Sequence, residues 1–257
     1  MNIPMVTFFR SDKVYNNDFM EEVKENIENF KKDRLSKELT KQWLQHTAKF
    51  KYSYNFSWLG RPIIQYPQDM MAMQEIIWKI KPDLIIETGI AHGGSLIYYA
   101  SLLELIGDSG EVLGIDIDIR EHNRHEIENH IMFKRITMLE GSSVSEEIVS
   151  KVKEVAEGKQ RILVILDSNH THEHVLKELE LYSPFVTKES YLVVFDTVVE
   201  DMPEDFFSDR PWGKGDNPKT AVWEFLKKNK RFVIDKDIES KLLITVAPDG
   251  YLKCVED

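Results

Sequence analysis

The sequence predicts a doubly wound α/β domain around a mostly parallel sheet, and three observations support this fold class. Short, continuous apolar runs recur between residues 84 and 195, as expected of strands that are buried on both faces. Segments with apolar residues at helical spacing separate these runs. The carboxyl ends of parallel strands meet at one edge of a sheet, where ligands bind. Four of the runs end there in an acidic residue, at Glu87, Asp116, Asp167 and Asp196.

The composition is that of a globular protein without a nucleic-acid-binding surface. Of the 257 residues, 42% are hydrophobic and 30% are charged, which allows a sizeable core. The net charge of -11 argues against a surface for nucleic-acid phosphates. A single cysteine, Cys254, favours a reducing compartment, and residues 1–10 lack the pattern of a signal peptide. Since no stretch approaches the roughly 20 apolar residues of a membrane span, we expect a soluble, cytoplasmic protein.

The N-terminal part of the chain predicts helices followed by an aromatic loop. Apolar residues at helical spacing predict two amphipathic helices within residues 17–50. The aromatic cluster at residues 52–58 could pack in the core or stack on an acceptor ring. Pro67 suits the first turn of a helix over residues 68–80. We therefore divide the chain into an N-terminal helical and aromatic extension, residues 1–65, and an α/β domain, residues 66–257. The helices of the extension are candidates for contacts in a homo-oligomer.

The elements of the α/β domain follow in order. Residues 198–220 are irregular and are expected to form a lid or a binding loop, and Asn217 with Pro218 predicts the start of a helix over 219–228. The last two strands are too close in sequence for a parallel crossover, so they should pair antiparallel. The predicted strands are 84–86, 112–115, 136–139, 162–166, 191–195, 231–234 and 242–246, and the helices between them are 95–105, 145–156 and 172–181.

The turn after the first strand has the composition of a ligand-binding turn. Gly89 and Gly93 let the backbone approach a ligand closely, and the helix that begins near Ser95 favours a negative group at its N-terminus. An ordinary strand-to-helix turn could have the same glycines. The spacing matches neither a dinucleotide fingerprint nor a phosphate-binding loop. Asp116, 27 residues after Gly89, is placed to accept the ribose hydroxyls of an adenosine, and the turn at 141–143 could lie against the adenine ring.

Together these segments resemble a known family. Residues 87–95 read Glu-x-Gly-x-x-x-Gly-Gly-Ser, and with Asp116, the turn at 141–143 and the closing antiparallel hairpin they are similar to class I S-adenosylmethionine-dependent methyltransferases. The chain more closely resembles the cephalosporin hydroxylase (CmcI-like) family, over about residues 55 to 250. The segments that carry this closer resemblance are residues 58–62 with 65–69, residues 167–170 and residues 195–199.

The resemblance implies a fold, a reaction and a cofactor. The fold is a Rossmann-like, seven-stranded, mostly parallel sheet with an antiparallel last strand. The reaction is metal-assisted transfer of a methyl group from S-adenosylmethionine to a hydroxyl of a sugar, a glycan precursor or a secondary metabolite, with Mg²⁺ as the metal. The expected acceptor is therefore a small molecule or a saccharide. The expected cofactor-binding residues are Glu87, Gly89, Gly93, Ser95, Asp116, Ser142, Ser143 and Asp167.

The resemblance also implies a metal site and a general base, with one departure from the family pattern. Family members hold Mg²⁺ with an aspartate that matches Asp167 and with an acidic pair after the next strand. Only the second acid of that pair, Asp196, is present here, because Phe195 occupies the first position. His170 matches the position of a general base, and an imidazole near neutral pH can take the proton of the acceptor hydroxyl as its oxygen attacks the methyl carbon.

Other interpretations of these residues stay open at the level of sequence. Residues 167–170 could simply begin a helix, with Ser168 or Asn169 as its cap and with His172 and His174 facing outward. A nicotinamide-dependent oxidoreductase would share the fold class, although the glycine spacing and the final hairpin speak against it. A cofactor-binding protein with a decayed active site would explain Phe195. Hydroxylation is disfavoured, because no arrangement of two histidines and one carboxylate has convincing spacing.

Overall fold

A seven-stranded sheet lies at the centre of the molecule, and a separate two-stranded hairpin precedes it. The computed structural model describes residues 17–256. The hairpin consists of β1 (Phe56–Trp58) and β2 (Arg61–Ile63). The strands of the sheet are β3 (Leu84–Thr88), β4 (Glu111–Asp116), β5 (Ile136–Glu140), β6 (Ile162–Leu166), β7 (Tyr191–Val194), β8 (Phe232–Ile234) and β9 (Tyr251–Cys254).

The strand order is β5-β4-β3-β6-β7-β9-β8, and β9 is the antiparallel strand of the sheet. The chain first builds outward from β3 to β5 and then crosses to β6 on the other side of β3. The strand order therefore reverses between β3 and β6, which is where open α/β sheets bind ligands. This arrangement confirms the predicted doubly wound fold with an antiparallel last strand.

Helices cover both faces of the sheet, because alternate residues of its strands point to opposite sides. In β3, Ile85 packs with residues of the third, fourth and fifth helices, whereas Leu84 and Ile86 pack with residues of the sixth, seventh and eighth. The helices are α1 (Asn17–Lys32), α2 (Arg34–Ala48), α3 (Pro67–Ile80), α4 (Gly94–Ile106), α5 (Glu121–Glu128), α6 (Glu146–Ala156), α7 (His172–Tyr182), α8 (Pro218–Lys228) and α9 (Lys236–Leu242).

The position predicted for the last strand is wrong. Residues 242–246 are not a strand, since α9 ends at Leu242 and the antiparallel partner of β8 is β9 at residues 251–254. The apolar segment is instead held by the buried carboxylate of Asp69 in α3. This carboxylate accepts hydrogen bonds from the Thr245 hydroxyl and, at 3.0 Å, from the Val246 amide. A buried side chain therefore fixes this segment in place of a strand partner.

The two amphipathic helices of the N-terminal part are confirmed as α1 and α2. The hairpin that follows packs on the α/β domain, since the Trp58 indole nitrogen donates to the Ser101 hydroxyl in α4 at 2.9 Å. The division at residue 65 and an oligomer through α1 and α2 stay predictions. Both helices carry exposed apolar side chains, among them Phe19, Leu35 and Leu39. Within residues 17–256, no helix combines the length and the apolar character that crossing a bilayer requires.

Candidate active site

The carboxyl ends of β3, β6 and β7 bring the predicted acids to one edge of the sheet. The Asp167 amide donates to the Thr88 carbonyl at 2.9 Å, which places the start of the β6 loop beside the turn after β3. The Phe195 amide donates to the Leu166 carbonyl at 3.0 Å and places the β7 loop beside both. Asp167 lines a cavity of 300 Å³ on the Asp116 side and a cavity of 390 Å³ on the Asp196 side. Its position therefore joins the two halves of the site.

Two glycines of the turn after β3 are required by their surroundings. Gly89 has a φ of +93°, and a Cβ there would lie 2.0 Å from the carbonyl oxygen of Asp167. Gly93 has a φ of +78°, and its Cβ would lie 2.3 Å from the Cδ1 atom of Ile127 in α5. Side chains rarely adopt this left-handed backbone conformation. These glycines therefore let the turn lie directly against the β6 loop and α5.

Asp116 holds the same turn from the end of β4. Its Oδ2 atom accepts hydrogen bonds from the amides of Ile90 at 2.8 Å and of Ala91 at 3.2 Å. Its Oδ1 atom accepts from the Asp118 amide at 3.2 Å. The carboxylate also lines the 300 Å³ cavity, so the residue predicted to bind ribose lies where a nucleoside could reach it.

Glu87 lies beneath the turn. It does not line the cavities that the other predicted site residues line. It is fully buried, and its Oε2 atom accepts a hydrogen bond from the Ser95 hydroxyl at 2.6 Å. The Tyr99 hydroxyl is a second hydrogen-bond partner of this carboxyl. Burial raises the pKa of Glu87 to about 8, because the charged form loses its hydration. Glu87 and Ser95 therefore link the strand end to α4 from below.

The turn after β5 completes the 300 Å³ cavity, which we call the nucleoside cavity. Ser142 and Ser143 both line it, as predicted for residues that face an adenine ring. The Ser143 hydroxyl lies 3.2 Å from the Nε2 atom of His174, and the Ser143 carbonyl accepts from the Tyr182 hydroxyl at 2.7 Å. His174 also lines the cavity, so the expectation that it faces outward is wrong. It is brought inward because α7 begins at the edge of the sheet next to the β5 turn.

Asp167, His170 and Asp196 meet in the second cavity, which we call the acceptor cavity. One ligand atom from each lies within 4.8 Å of the others, and the Nε2 atom of His170 is 3.3 Å from the Oδ2 atom of Asp196. Burial and then the negative charge of Asp196 raise the pKa of Asp167 well above its usual range. Within the described residues, no lysine or arginine forms an ion pair with either aspartate. Such carboxylates favour a bound cation.

These three side chains fit a divalent cation, although the donor set differs from the predicted one. Phe195, at the position of the missing acid, is 2% exposed and packs in the core. His170 contributes a nitrogen donor that the sequence prediction did not assign to the metal. Asp196 itself has a φ of +54°, a conformation that aspartate tolerates better than most residues. The strand end therefore turns sharply, so that Phe195 enters the core while Asp196 faces the cavity.

Aromatic side chains from two segments line the acceptor cavity. Tyr52 and Tyr54 come from the aromatic cluster, whereas Trp58 packs edge-on against Tyr98 of the core. Core packing is therefore confirmed for Trp58, whereas stacking of Tyr52 and Tyr54 on an acceptor ring stays a prediction. Trp212, from the irregular segment after β7, lies edge-on to His170 with ring centroids 4.8 Å apart. The cavity is thus lined by aromatic side chains as well as acids, as suits the apolar face of a sugar ring.

Sequence reasoning missed two residues that support the site. The Arg61 guanidinium donates to the His92 carbonyl at 2.6 Å and to the Asn123 side-chain oxygen at 3.1 Å. The Asn123 amide in turn donates to the Ala91 carbonyl at 2.9 Å. These bonds tie the glycine turn to the hairpin and to α5. Arg61 lies in a segment that carried the family resemblance, which was the one available signal.

The simple capping interpretation of residues 167–170 is wrong in its details. Thr171 is the residue before α7, and Asn169 accepts a hydrogen bond from its amide at 2.9 Å. Ser168 donates to the buried Glu178 at 2.8 Å. His172 lies beside Thr220 and Glu224 of α8 and does not line the acceptor cavity. His170, just before α7, directs its Nε2 atom at Asp196.

Comparison with known proteins gives consistent results. The family model described as "Rhamnosyl O-methyltransferase/CmcI" matches residues 50–255. A rhamnosyl O-methyltransferase of Mycobacterium tuberculosis is 33% identical over 190 residues, which is 72% of each chain. A structure of CmcI whose description names Mg and SAM is similar in fold, with a TM-score of 0.57, 18% identity and coverage of 79% of this chain and 78% of that one. An O-methyltransferase from Bacillus cereus in complex with SAH has a TM-score of 0.51, 14% identity and coverage of 87% and 92%.

Proposed function

The chain belongs to the rhamnosyl O-methyltransferase/CmcI family, and from this membership we propose that it transfers the methyl group of S-adenosylmethionine to a hydroxyl of a sugar, a glycan precursor or a secondary metabolite. One observation carries the proposal. Asp167 lies between the nucleoside cavity and the acceptor cavity, so a methyl donor in the first would meet an acceptor in the second. The single cysteine also supports a cytoplasmic location.

The nucleoside cavity suits S-adenosylmethionine. At the ribose end, Asp116 offers carboxylate oxygens, and the serines of the β5 turn lie beside the expected position of the base. At the methionine end, the turn after β3 presents the N-terminal end of α4 to a carboxylate. Glu87 and Ser95 support this turn from below. When bound, the cofactor supplies an electrophilic methyl group on a sulfonium, and these residues orient it toward Asp167.

We assign the metal-binding role to Asp167 and Asp196. Carboxylate oxygens are the ligands that Mg²⁺ prefers, and two of them leave room for waters and acceptor hydroxyls. A divalent cation held there would lower the pKa of the acceptor hydroxyl and orient it. The proton of that hydroxyl passes to the imidazole of His170, which Asp196 orients through the 3.3 Å contact. Trp212 fixes the other side of the ring.

The aromatic walls favour a saccharide acceptor. The relative from M. tuberculosis is named for a rhamnosyl group, so a rhamnoside is the first acceptor to test. Tyr52, Tyr54 and Trp212 provide surfaces for the apolar face of such a ring. Membership of the family sets aside the nicotinamide-dependent oxidoreductase. A direct assay of methyl transfer tests the alternative of a decayed active site.

The proposal is tested with an Asp196→Ala variant. We expect the purified protein to methylate a rhamnoside with S-adenosylmethionine in the presence of Mg²⁺. Asp196→Ala should retain cofactor affinity by calorimetry and lose turnover by at least about 100-fold, because the cation and the orientation of His170 are both lost. An exposed acid outside the cavities, Asp205, gives the matched control. An Asp196→Ala protein with normal turnover, or a wild type inactive on a broad hydroxyl panel, would contradict the proposal.

A further inference from the structure

A third cavity adjoins the acceptor cavity and is larger than either of the first two. It has a volume of 760 Å³ and lies between α1, α2, the segment after β7, and α9. Val198 and Met202 line both this cavity and the acceptor cavity. The two spaces are therefore neighbours that share these two side chains.

The charge of the larger cavity is opposite to that of the chain. Six lysines line it against four acidic residues, whereas the whole chain has a net charge of -11. We call it the lysine cavity. A protein of net negative charge repels anions over most of its surface. It attracts them only where several cations lie near one another. The lysines come from three separate parts of the chain and are Lys31, Lys37, Lys41, Lys214, Lys219 and Lys236.

Three of these lysines already have carboxylate partners. Lys31 pairs with Glu28 and Asp237, Lys219 pairs with Asp201 at 2.6 Å, and Lys236 pairs with Glu239 at 3.0 Å. Their charges are therefore largely neutralised. These pairs fix the walls of the cavity, since Lys219 is buried at the start of α8 and Lys236 begins α9. They leave the remaining lysines as the source of the positive charge.

The other three lysines have no carboxylate partner among residues 17–256. Lys37 donates only to the backbone carbonyl of Lys31, at 2.6 Å, and Lys41 and Lys214 form neither a hydrogen bond nor an ion pair. Lys37 and Lys41 are four residues apart on α2, so their like charges face the cavity together and disfavour the helix slightly. Lys214 approaches from the irregular segment after β7. All three side chains are exposed and line the same cavity, so their charges would attract an anion that enters it.

We infer that the lysine cavity binds a phosphate group of the acceptor, so that the saccharide methylated here is phosphorylated. Lysine is a common ligand of phosphate, as a point charge with three donors. The inference rests on the proposed function, because it treats the lysine cavity as an extension of the acceptor cavity. The phosphate takes no part in the chemistry. Its contacts with Lys37, Lys41 and Lys214 hold the sugar ring beside His170.

A binding experiment tests the cavity without turnover. Pyrophosphate is titrated calorimetrically into the full chain saturated with S-adenosylhomocysteine. We expect saturable binding that weakens with salt and that is about tenfold weaker in a Lys41→Gln/Lys214→Gln variant, because two charge-assisted contacts are lost. The matched control is Lys153→Gln/Lys227→Gln, which removes the same charge at exposed sites on α6 and α8. Absent binding, or equal weakening in both variants, overturns the inference.

A turnover experiment separates this inference from the proposed function. The acceptors are one sugar as its neutral methyl glycoside, its 1-phosphate, its nucleoside diphosphate ester and its lipid-linked diphosphate. We expect kcat/KM to be higher for a phosphorylated form, and the ratio to the neutral glycoside to fall about tenfold in the Lys41→Gln/Lys214→Gln variant. Methylation with no preference for a phosphorylated acceptor would refute phosphate binding in the lysine cavity. It would not contradict methyl transfer. Lysine-dependent pyrophosphate binding with no methylation of any acceptor refutes methyl transfer alone.

Discussion

At the scale of single residues, His170 illustrates how far a sequence pattern can assign a role. The resemblance predicted a base at this position, and the structure directs its Nε2 atom at Asp196. One of its two ring nitrogens also belongs to a three-donor set that fits a cation. A nitrogen that ligates a metal cannot also accept a proton from the acceptor. The two roles therefore predict different consequences for metal affinity.

For a His170→Ala variant we expect turnover to fall by about 100-fold or more, because the general base is lost. The affinity for Mn²⁺, used as a paramagnetic probe of the metal site, should change less than about threefold if the two aspartates hold the cation. Electron paramagnetic resonance of free Mn²⁺ gives the affinity directly. His172→Ala, on the adjacent α7, is the control. Strongly weakened Mn²⁺ binding in His170→Ala would make the imidazole a ligand.

Gly89 gives a second prediction at the same scale. Gly89→Ala should destabilise the protein by more than about 2 kcal/mol, since it combines a strained φ with a contact of 2.0 Å to the Asp167 carbonyl. Gly107 separates the two causes, because its φ is +83° and a Cβ there would have no neighbour within 4 Å. Gly107→Ala should cost only about 1–2 kcal/mol. Urea denaturation measures both, and equal losses would show that the turn moves freely away from Asp167.

The residues at strand ends could be predicted, whereas those that brace them could not. Asp116, Asp167 and Asp196 are marked by the buried runs that precede them, and parallel strands must end at the same edge. The contact of Arg61 with Asn123 joins residues 62 positions apart, and no local pattern records such a pair. His174 was misjudged for a similar reason, because its neighbour Ser143 comes from another strand end.

At the scale of elements, the predictions succeeded where burial leaves a recognisable pattern of apolar residues in the sequence. The strands of the central sheet were found as continuous apolar runs, because helices cover both of its faces. The fifth helix was missed, since Glu121–Glu128 contains one apolar residue, Ile127, and has no periodicity to detect. The last strand was misplaced because residues 242–246 are buried by contacts of a side chain in α3 rather than by strand pairing.

The hydrogen bonds that the Asp69 carboxylate accepts from residues 245 and 246 give a prediction. Asp69→Ala leaves buried donors of Thr245, Val246 and Tyr251 without an acceptor, so we expect a loss of about 3 kcal/mol or more in the free energy of unfolding. Glu75→Ala is the matched control, because it removes the exposed 2.6 Å ion pair with Lys241 that also joins α3 to α9. That pair should contribute less than about 1 kcal/mol. Comparable losses in the two variants would contradict the role of Asp69.

At the scale of the whole molecule, the fold buries carboxyl groups at the end of a central strand and in a helix that covers the sheet. Glu87 and Asp69 are buried carboxyls, and burial raises their pKa values to about 8 and about 6. The folded protein therefore retains protons that the unfolded chain releases at lower pH. Stability is at its highest while these groups are protonated and falls as the pH rises toward the folded pKa values. Burial of these carboxyls therefore carries a cost in stability that grows with pH.

Glu87 allows this cost to be measured. Its ordinary pKa of 4.5 is raised to about 8 in the folded protein, so between these values the unfolded chain binds fewer protons and the free energy of unfolding falls as pH rises. The slope from one such group is at most about 1.4 kcal/mol per pH unit. Glu87→Gln cannot ionise and still offers an oxygen to Ser95. We therefore expect a shallower decline between pH 6.5 and 8, where the pKa of Asp69, about 6, has already been passed. Urea denaturation across this range, with the exposed Glu204→Gln as control, measures the difference, and parallel profiles for wild type and Glu87→Gln would mean that Glu87 is already ionised in the folded protein.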